Sequence, residues 1–202
     1  MFEGPFRESI LRRAQDKLLV EIKIHDLRKW GLDDRRTVDD RPYGGGPGMI
    51  MRVDVIDAAI SDLRPKIKDH KSKIILLDAT GEKFTQQKAV QLSKLEHIIL
   101  IAGHYEGVDH RVHEHLVDKV ISIGDYVLTG GEIPAMVITD TVVRLLLGVI
   151  KSESLTEESF SSLKINTEYP QYTRPEEYRG WKVPNVLLSG NHKEIKKWRD
   201  RV

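Results

Sequence analysis

The sequence contains no cysteine, which excludes thiol catalysis, disulfides, iron–sulfur clusters and every cysteine-based zinc site. It has no run of about eighteen apolar residues, so no membrane-spanning helix is expected. The opening residues, Met1-Phe2-Glu3-Gly4-Pro5, lack a charged segment followed by an apolar one, and no secretory signal is read there. These absences together predict a cytoplasmic protein with no membrane partner. An excess of one charge is missing too: 32 Lys and Arg stand against 31 Asp and Glu, a net charge of +1. Any nucleic-acid partner must therefore be met by local patches rather than by a global field. No internal repeat and no low-complexity tract is found. What remains is a chain of 202 residues, 40% hydrophobic and 31% charged, suited to one main domain with an appendage.

Phe2, Phe6, Ile10, Leu11, Ala14, Leu18 and Leu19 recur at helical spacing, predicting an amphipathic helix over the first twenty residues, followed by a short strand at 20–24. Between Gly31 and Gly48 the apolar pattern gives way to charges and then to Pro42-Tyr43-Gly44-Gly45-Gly46-Pro47-Gly48, a long mobile loop. A helix is predicted at 53–63, a strand at 73–78, a helix at 85–95, a strand at 97–102 and a third strand at 120–123. Strands that are apolar throughout and alternate with helices indicate a parallel sheet covered on both faces, so the class is α/β. Residues 133–150 read as one strongly apolar helix, interrupted by Thr139, Asp140, Thr141, Arg144 and Gly148. The division expected is a main domain at 1–150, a flexible linker at 151–184, and at 185–202 the start of a helical piece capped by Asn191.

Ligands of open parallel sheets sit beyond the carboxyl ends of the strands. Here those ends carry Asp78-Ala79-Thr80-Gly81, then Gly103-His104-Tyr105-Glu106-Gly107, then Gly124 to Glu132. Glycines there let backbone groups approach a ligand, and Tyr105 and Tyr126 can supply apolar walls. The glycines at 44–48 lack the Gly-Lys-Ser/Thr of a phosphate loop and do not lie between an apolar strand and a helix, so they read as a lid. Arg35, Arg36 and Arg41 beside them are suited to phosphate or simply to solvent. His110, His113 and His115 lie among Asp109 and Glu114, but spacings of three and two place at most two of them on one helical face; surface histidines are the reading, and no metal site is assigned. Arg144 on so apolar a helix needs an anion: either Asp140, four residues earlier, or a charge developed by chemistry. Glu157 and Glu158 are solvated charges or a general base, and the residues alone leave both readings open.

Four long strings fall together: RTVDDRPYGGGPGM at 36–49, YEGVDHRV at 105–112, SIGDYVLTGGEIPAM at 122–136 and YTRPEEYRGWKVPNVLLSGNH at 172–192. They resemble the TrmD family, the bacterial tRNA (guanine-37-N1)-methyltransferases of the α/β-knot (SPOUT) class. The resemblance runs from about Phe2 to Arg199. It implies a homodimer holding S-adenosyl-L-methionine in a trefoil knot, a feature that periodicity never suggests. It implies a product, N1-methylated guanosine 37, that helps maintain the reading frame. Carried over by motif, the methyl donor is held by Leu77, Gly103, Tyr105, Glu106, Ile123, Gly124, Asp125, Tyr126, Val127, Leu128, Gly130, Gly131 and Pro134. The family's catalytic arginine matches Arg144, and Glu158 stands where the family has an aspartate, on a segment one residue shorter. Magnesium dependence is a further implication, without a dedicated site in the sequence.

The chemistry explains the two residue types. Guanine N1 carries a proton, so a carboxylate must take it while a cation stabilises the charge that moves to O6. RNA phosphates are expected at Arg35, Arg36 and Arg41, and at Lys193, Lys196, Lys197 and Arg199. Where the family has Ser-Pro this chain has Asp78-Ala79, and His104 replaces the family's arginine. Family members also begin with a further strand and end with further helices, so the C-terminal helical piece is expected to be truncated here. Two other readings stand beside this one: an RNA-binding SPOUT remnant impaired in catalysis, and a related methyltransferase acting on another RNA position.

Overall fold

The computed structural model describes residues 1–64, 71–151, 159–160 and 169–200. The chain divides into two compact units, Met1–Ile150 and Lys151–Val202.

The first unit opens with two short helices, α1 (Glu3–Phe6) and α2 (Ser9–Asp16), and a 3-10 turn, Leu27–Trp30. A two-rung antiparallel pair follows, β1 (Asp39–Asp40) with β2 (Ile50–Met51), and then α3 (Val53–Leu63). Next come β3 (Ser72–Lys83), α4 (Gln86–Leu92), β4 (His97–Ala102), α5 (His110–His115), β5 (Lys119–Ser122) and α6 (Glu132–Val143). The strands form a parallel sheet in the order β4-β3-β5.

Side chains alternate across a strand, and β3 is apolar on both faces, so it can anchor two layers. Ile75 and Leu77 pack with Ala89 and Leu92 of α4 and with Ala135, Ile138 and Val142 of α6. Ile74 and Leu76 point the other way, onto Met51 of β2, Ile56 and Ile60 of α3 and Val112 of α5. The sheet is thus sandwiched between helix pairs, and the α/β reading holds. Polar caps start the covering helices where the apolar pattern requires: Thr85 Oγ1 accepts from the Lys88 amide at 3.4 Å, and Asp109 from the Arg111 amide at 3.0 Å.

Three expectations need correction. The first twenty residues are not one helix, because Glu8 is extended and Ser9 left-handed (φ 49°), which separates α1 from α2. Residues 20–24 form no strand with any of the described residues; Val20 and Ile22 pack against the cluster of Phe6, Leu11, Ala14 and Val143, so the alternation reports burial. The apolar helix at 133–150 ends at Val143, where the amides of Leu145 and Leu146 fall back to Val142 and Val143 at 3.1 Å and tighten the last turn. Its apolar run continues because Leu145, Leu146 and Val149 still pack on the core.

In the second unit, β6 (Glu177–Tyr178) and β7 (Trp181–Lys182) form an antiparallel hairpin within the segment read as linker. Two helices follow, α7 (Asn185–Leu188) and α8 (His192–Arg199), the latter capped by Asn191, whose Oδ1 accepts from the Glu194 amide at 3.3 Å. Tyr169 and Tyr172 each lie 6.4 Å from the Trp198 ring.

Leu76 is fully buried at the centre of the sheet. Leu76→Ala is expected to cost about 2–5 kcal/mol of folding stability, read as a lowered urea midpoint with an unchanged slope.

Candidate active site

The carboxyl ends of β3, β4 and β5 share one edge of the sheet, and a cavity of about 340 Å³ opens there. Its walls are three backbone excursions: Leu77 to Thr80, Gly103 to Val108, and Ile121 to Gly131 without Asp125, with Pro134 of α6 closing one side. Each leaves its strand differently. After Leu77, β3 steps out of register and rejoins β5 at Glu82, so that Leu77 and Glu82 both oppose Ile121. Asp78 holds this excursion by accepting from the Thr80 amide (2.8 Å) and hydroxyl (2.7 Å).

The second excursion carries Tyr105 in the left-handed region at φ 61°, a conformation that a tyrosine adopts only when its surroundings impose it. The imposition is visible. The Glu106 amide donates to Met49 O at 3.0 Å, the Met51 amide to Gly107 O at 3.0 Å, and the Asp109 amide to Met51 O at 3.0 Å. This ladder ties the end of the glycine-rich segment to the cavity rim. Below it, Arg52 makes a fork on Asp54 (3.0 and 2.7 Å) and reaches Asp40 at 2.8 Å, while Arg111 forks onto Asp109 at 2.9 and 2.7 Å. These hydrogen bonds hold the Asp54 and Asp109 carboxyls below the usual aspartate value of 3.8.

The third excursion returns to the sheet. Ser122, a buried polar residue at the end of β5, donates to Gly124 O at 3.0 Å, and the Tyr126 hydroxyl reaches Ile123 O at 3.3 Å. The Gly131 amide then donates to Gly103 O at 2.7 Å. A Cβ on Gly131 would lie 2.7 Å from both Ala102 Cα and Gly103 N, so a side chain there is excluded by backbone. The pocket is lined by five glycines, Gly103, Gly107, Gly124, Gly130 and Gly131, together with Tyr105 and Tyr126, which suits a ligand that main-chain groups approach closely.

Similarity to known proteins decides the family. A family model described as tRNA (Guanine-1)-methyltransferase TrmD matches residues 1–202. The chain belongs to this family. A protein named tRNA (guanine-N(1)-)-methyltransferase from Dictyoglomus turgidum is 56% identical over 200 residues, covering 98% of this chain and 79% of that one. One of the same name from Citrifermentans bemidjiense is 54% identical with the same coverage, and one from Bacillus cereus is 50% identical over 202 residues, covering 100% and 82%.

Of the residues that the family resemblance places around the methyl donor, Leu77, Gly103, Tyr105, Glu106, Ile123, Gly124, Tyr126, Val127, Leu128, Gly130, Gly131 and Pro134 line the cavity. Asp125 does not line it; its carboxylate pairs with Lys83 at the end of β3. Ser122, Val108 and Ile121 line it without having been singled out, and only a polar residue closing an apolar strand marks Ser122 in the sequence. His104, also in the wall, has Nδ1 3.8 Å from a Glu132 carboxylate oxygen. Arg144 is the half-buried cap residue ending α6. Glu157 and Glu158 lie outside the described residues.

Arg35, Arg36 and Arg41 are exposed on the first unit. Lys193, Lys196, Lys197 and Arg199 are exposed along α8, where Lys197 pairs with Glu194 at 3.0 Å and Arg199 lies 4.6 Å over the Tyr169 ring. Among the described residues no group of three or more His, Asp or Glu is placed to hold a metal ion. His110 and His115 instead approach Glu114 at 3.7 and 3.6 Å, and His113 approaches Asp78 at 3.8 Å. None of the described helices is long and apolar enough to cross a membrane.

Gly131→Ala is expected to lose roughly 1–3 kcal/mol of stability, since backbone rather than a flexible side chain must move, and a thermal melt reads the loss. The depressed carboxyls give a second expectation. Asp54 and Asp109 bind protons more weakly folded than unfolded, so their contribution is full above their usual value and disappears as pH falls through it to the folded value. Urea midpoints measured from about pH 6 to pH 3 should decline, and Asp109→Asn should flatten that decline.

Proposed function

We propose that the chain methylates N1 of guanosine 37 in tRNA, with S-adenosyl-L-methionine as donor. The observation carrying this reading is the coincidence of a glycine-rich cavity at three strand ends with a family match over the whole chain. The cavity suits the donor: about 340 Å³ lies in the range of small-molecule sites, and the glycine turns expose amides and carbonyls to a purine and an amino-acid moiety. When bound, the donor supplies an electrophilic methyl group on a sulfonium. Leu77, Gly103, Tyr105, Glu106, Ile123, Gly124, Tyr126, Val127, Leu128, Gly130, Gly131 and Pro134 would hold it, with Asp125 acting at one remove through Lys83.

The protein must do two things to the guanine. A carboxylate, assigned to Glu158, removes the N1 proton and keeps it. A guanidinium, assigned to Arg144, faces O6 as negative charge moves there. Arg144 follows directly on α6, whose buried residues Ile138 and Val142 fix its backbone against the sheet. The longer glutamate side chain offsets the shorter segment between the two groups. The target base leaves its stack to enter the pocket. Phosphates are met by Arg35, Arg36, Arg41, Lys193, Lys196, Lys197 and Arg199, so affinity falls as salt rises. No step is assigned to magnesium.

A homodimer and a trefoil knot belong to the same proposal. The third excursion, returning to the backbone of Ala102 and Gly103, supports the threading. Ile133 and Val137, four residues apart on α6, are exposed together with Val127 and Leu147, which supports an apolar face shared with a second copy.

Transfer of a labelled methyl group to tRNA carrying guanosine at 37, and not to the same tRNA with adenosine there, tests the reading. Glu158→Gln should lower the single-turnover rate at least about 100-fold while donor binding persists. A full rate in that variant would remove Glu158 from the mechanism and leave Glu157 as the base.

A further inference from the structure

The second unit carries an exposed aromatic pair on its hairpin. Tyr178 and Trp181 are directly opposed across the β6–β7 pair, with ring centroids 6.0 Å apart, and they are 53% and 70% exposed. Only Arg179 and Gly180 separate them, and both have left-handed backbones, φ 53° and 84°. That is the two-residue turn for which Asn-Gly or Asp-Gly is the favoured sequence. An arginine occupies the first position against its backbone preference, and its guanidinium lies 5.2 Å over the Tyr178 ring. The base of the hairpin is braced: Glu177 and Lys182 pair at 3.5 Å, and the Val183 amide donates to Glu176 O at 2.9 Å. The tip therefore presents ring, guanidinium and ring on a short, fixed ribbon.

A ribbon of two short strands has no core to shelter a tryptophan, so burial on folding does not account for Trp181. Charge points to the partner. Residues 169–200 hold seven Lys and Arg (Arg174, Arg179, Lys182, Lys193, Lys196, Lys197, Arg199) against four Asp and Glu, although the whole chain has a surplus of only one. Unpaired bases of RNA loops are recognised by stacking on aromatic faces beside arginine, with cations on the adjoining phosphates.

We propose that the Tyr178–Arg179–Trp181 tip is a stacking platform for an unpaired base of the tRNA. The base lies on Trp181, and Arg179, steadied by Tyr178, meets the neighbouring phosphate. The proposal rests on the tRNA reading above and adds a contact to it.

The test is binding of a tRNA transcript with guanosine at 37 to the full chain, by filter binding over a range of salt, with calorimetric binding of S-adenosyl-L-methionine as the control. Trp181→Ala should weaken tRNA binding about tenfold with an unchanged salt slope, and Trp181→Phe should restore most of it. Arg179→Asn places a favoured residue in the turn, so the hairpin is kept; it should weaken binding several-fold and make the salt slope shallower by about one. Donor affinity should stay at the wild-type value in all three. If the parent protein binds tRNA and Trp181→Ala and Arg179→Asn bind it equally well, the platform is wrong while the tRNA reading survives. If the parent itself binds no tRNA, both fail. If Trp181→Ala leaves tRNA affinity intact but converts a dimer to monomer, the pair covers a second copy of the chain and the RNA contact is overturned.

Discussion

The hydrogen bond from the Gly131 amide to Gly103 O, only 2.7 Å long, joins the third excursion to the end of β4 with no side chain between them. Everything at the carboxyl edge of the sheet is arranged around that contact. It sets where α6 begins, and hence where Pro134 and the buried stripe of Ala135, Ile138 and Val142 meet the sheet. It also turns the stretch from Gly124 to Gly130 into a wall rather than a free loop. A backbone-to-backbone contact of this kind resists relaxation far more than a contact between long side chains.

The rim on the opposite side is organised by charge. Arg52 and Arg111 form the two forks beneath the glycine-rich segment, and the amide ladder from Met49 to Asp109 fixes that segment's exit. Gly44, Gly45 and Gly46 have φ of 83°, 79° and 127°, backbones that other residues adopt only with strain, and nothing lies within 4 Å of a Cβ placed on Gly44 or Gly45.

Legibility in the sequence followed physical locality. α3 and β4 match their apolar patterns to the residue, because a helical stripe and a continuous apolar strand each report their own burial. The three glycine-bearing turns were also readable, since the strand ends and the backbone demands of a ligand edge coincide there. Three things were hidden. Val20 and Ile22 have a strand's alternation, but pairing depends on a neighbour that local sequence does not specify. The end of α6 is set by tightening at Leu145 and Leu146, inside an apolar run that never changes character. Asp125 belongs to a motif whose glycines and tyrosine line the cavity, yet Lys83, distant in sequence, draws its carboxylate elsewhere.

The register step in β3 has one more consequence. Because Leu77 and Glu82 are both held against Ile121, the residues between them form a closed insert whose two ends are fixed by the sheet itself. Gly81 is pressed against the backbone of Val120 and Ile121, but Asp78, Ala79 and Thr80 hang outside the ladder. Asp78 and Thr80 lock the insert through their own hydrogen bonds, which leaves the exposed Ala79 as the position where a new side chain would reshape the cavity rim without disturbing a strand.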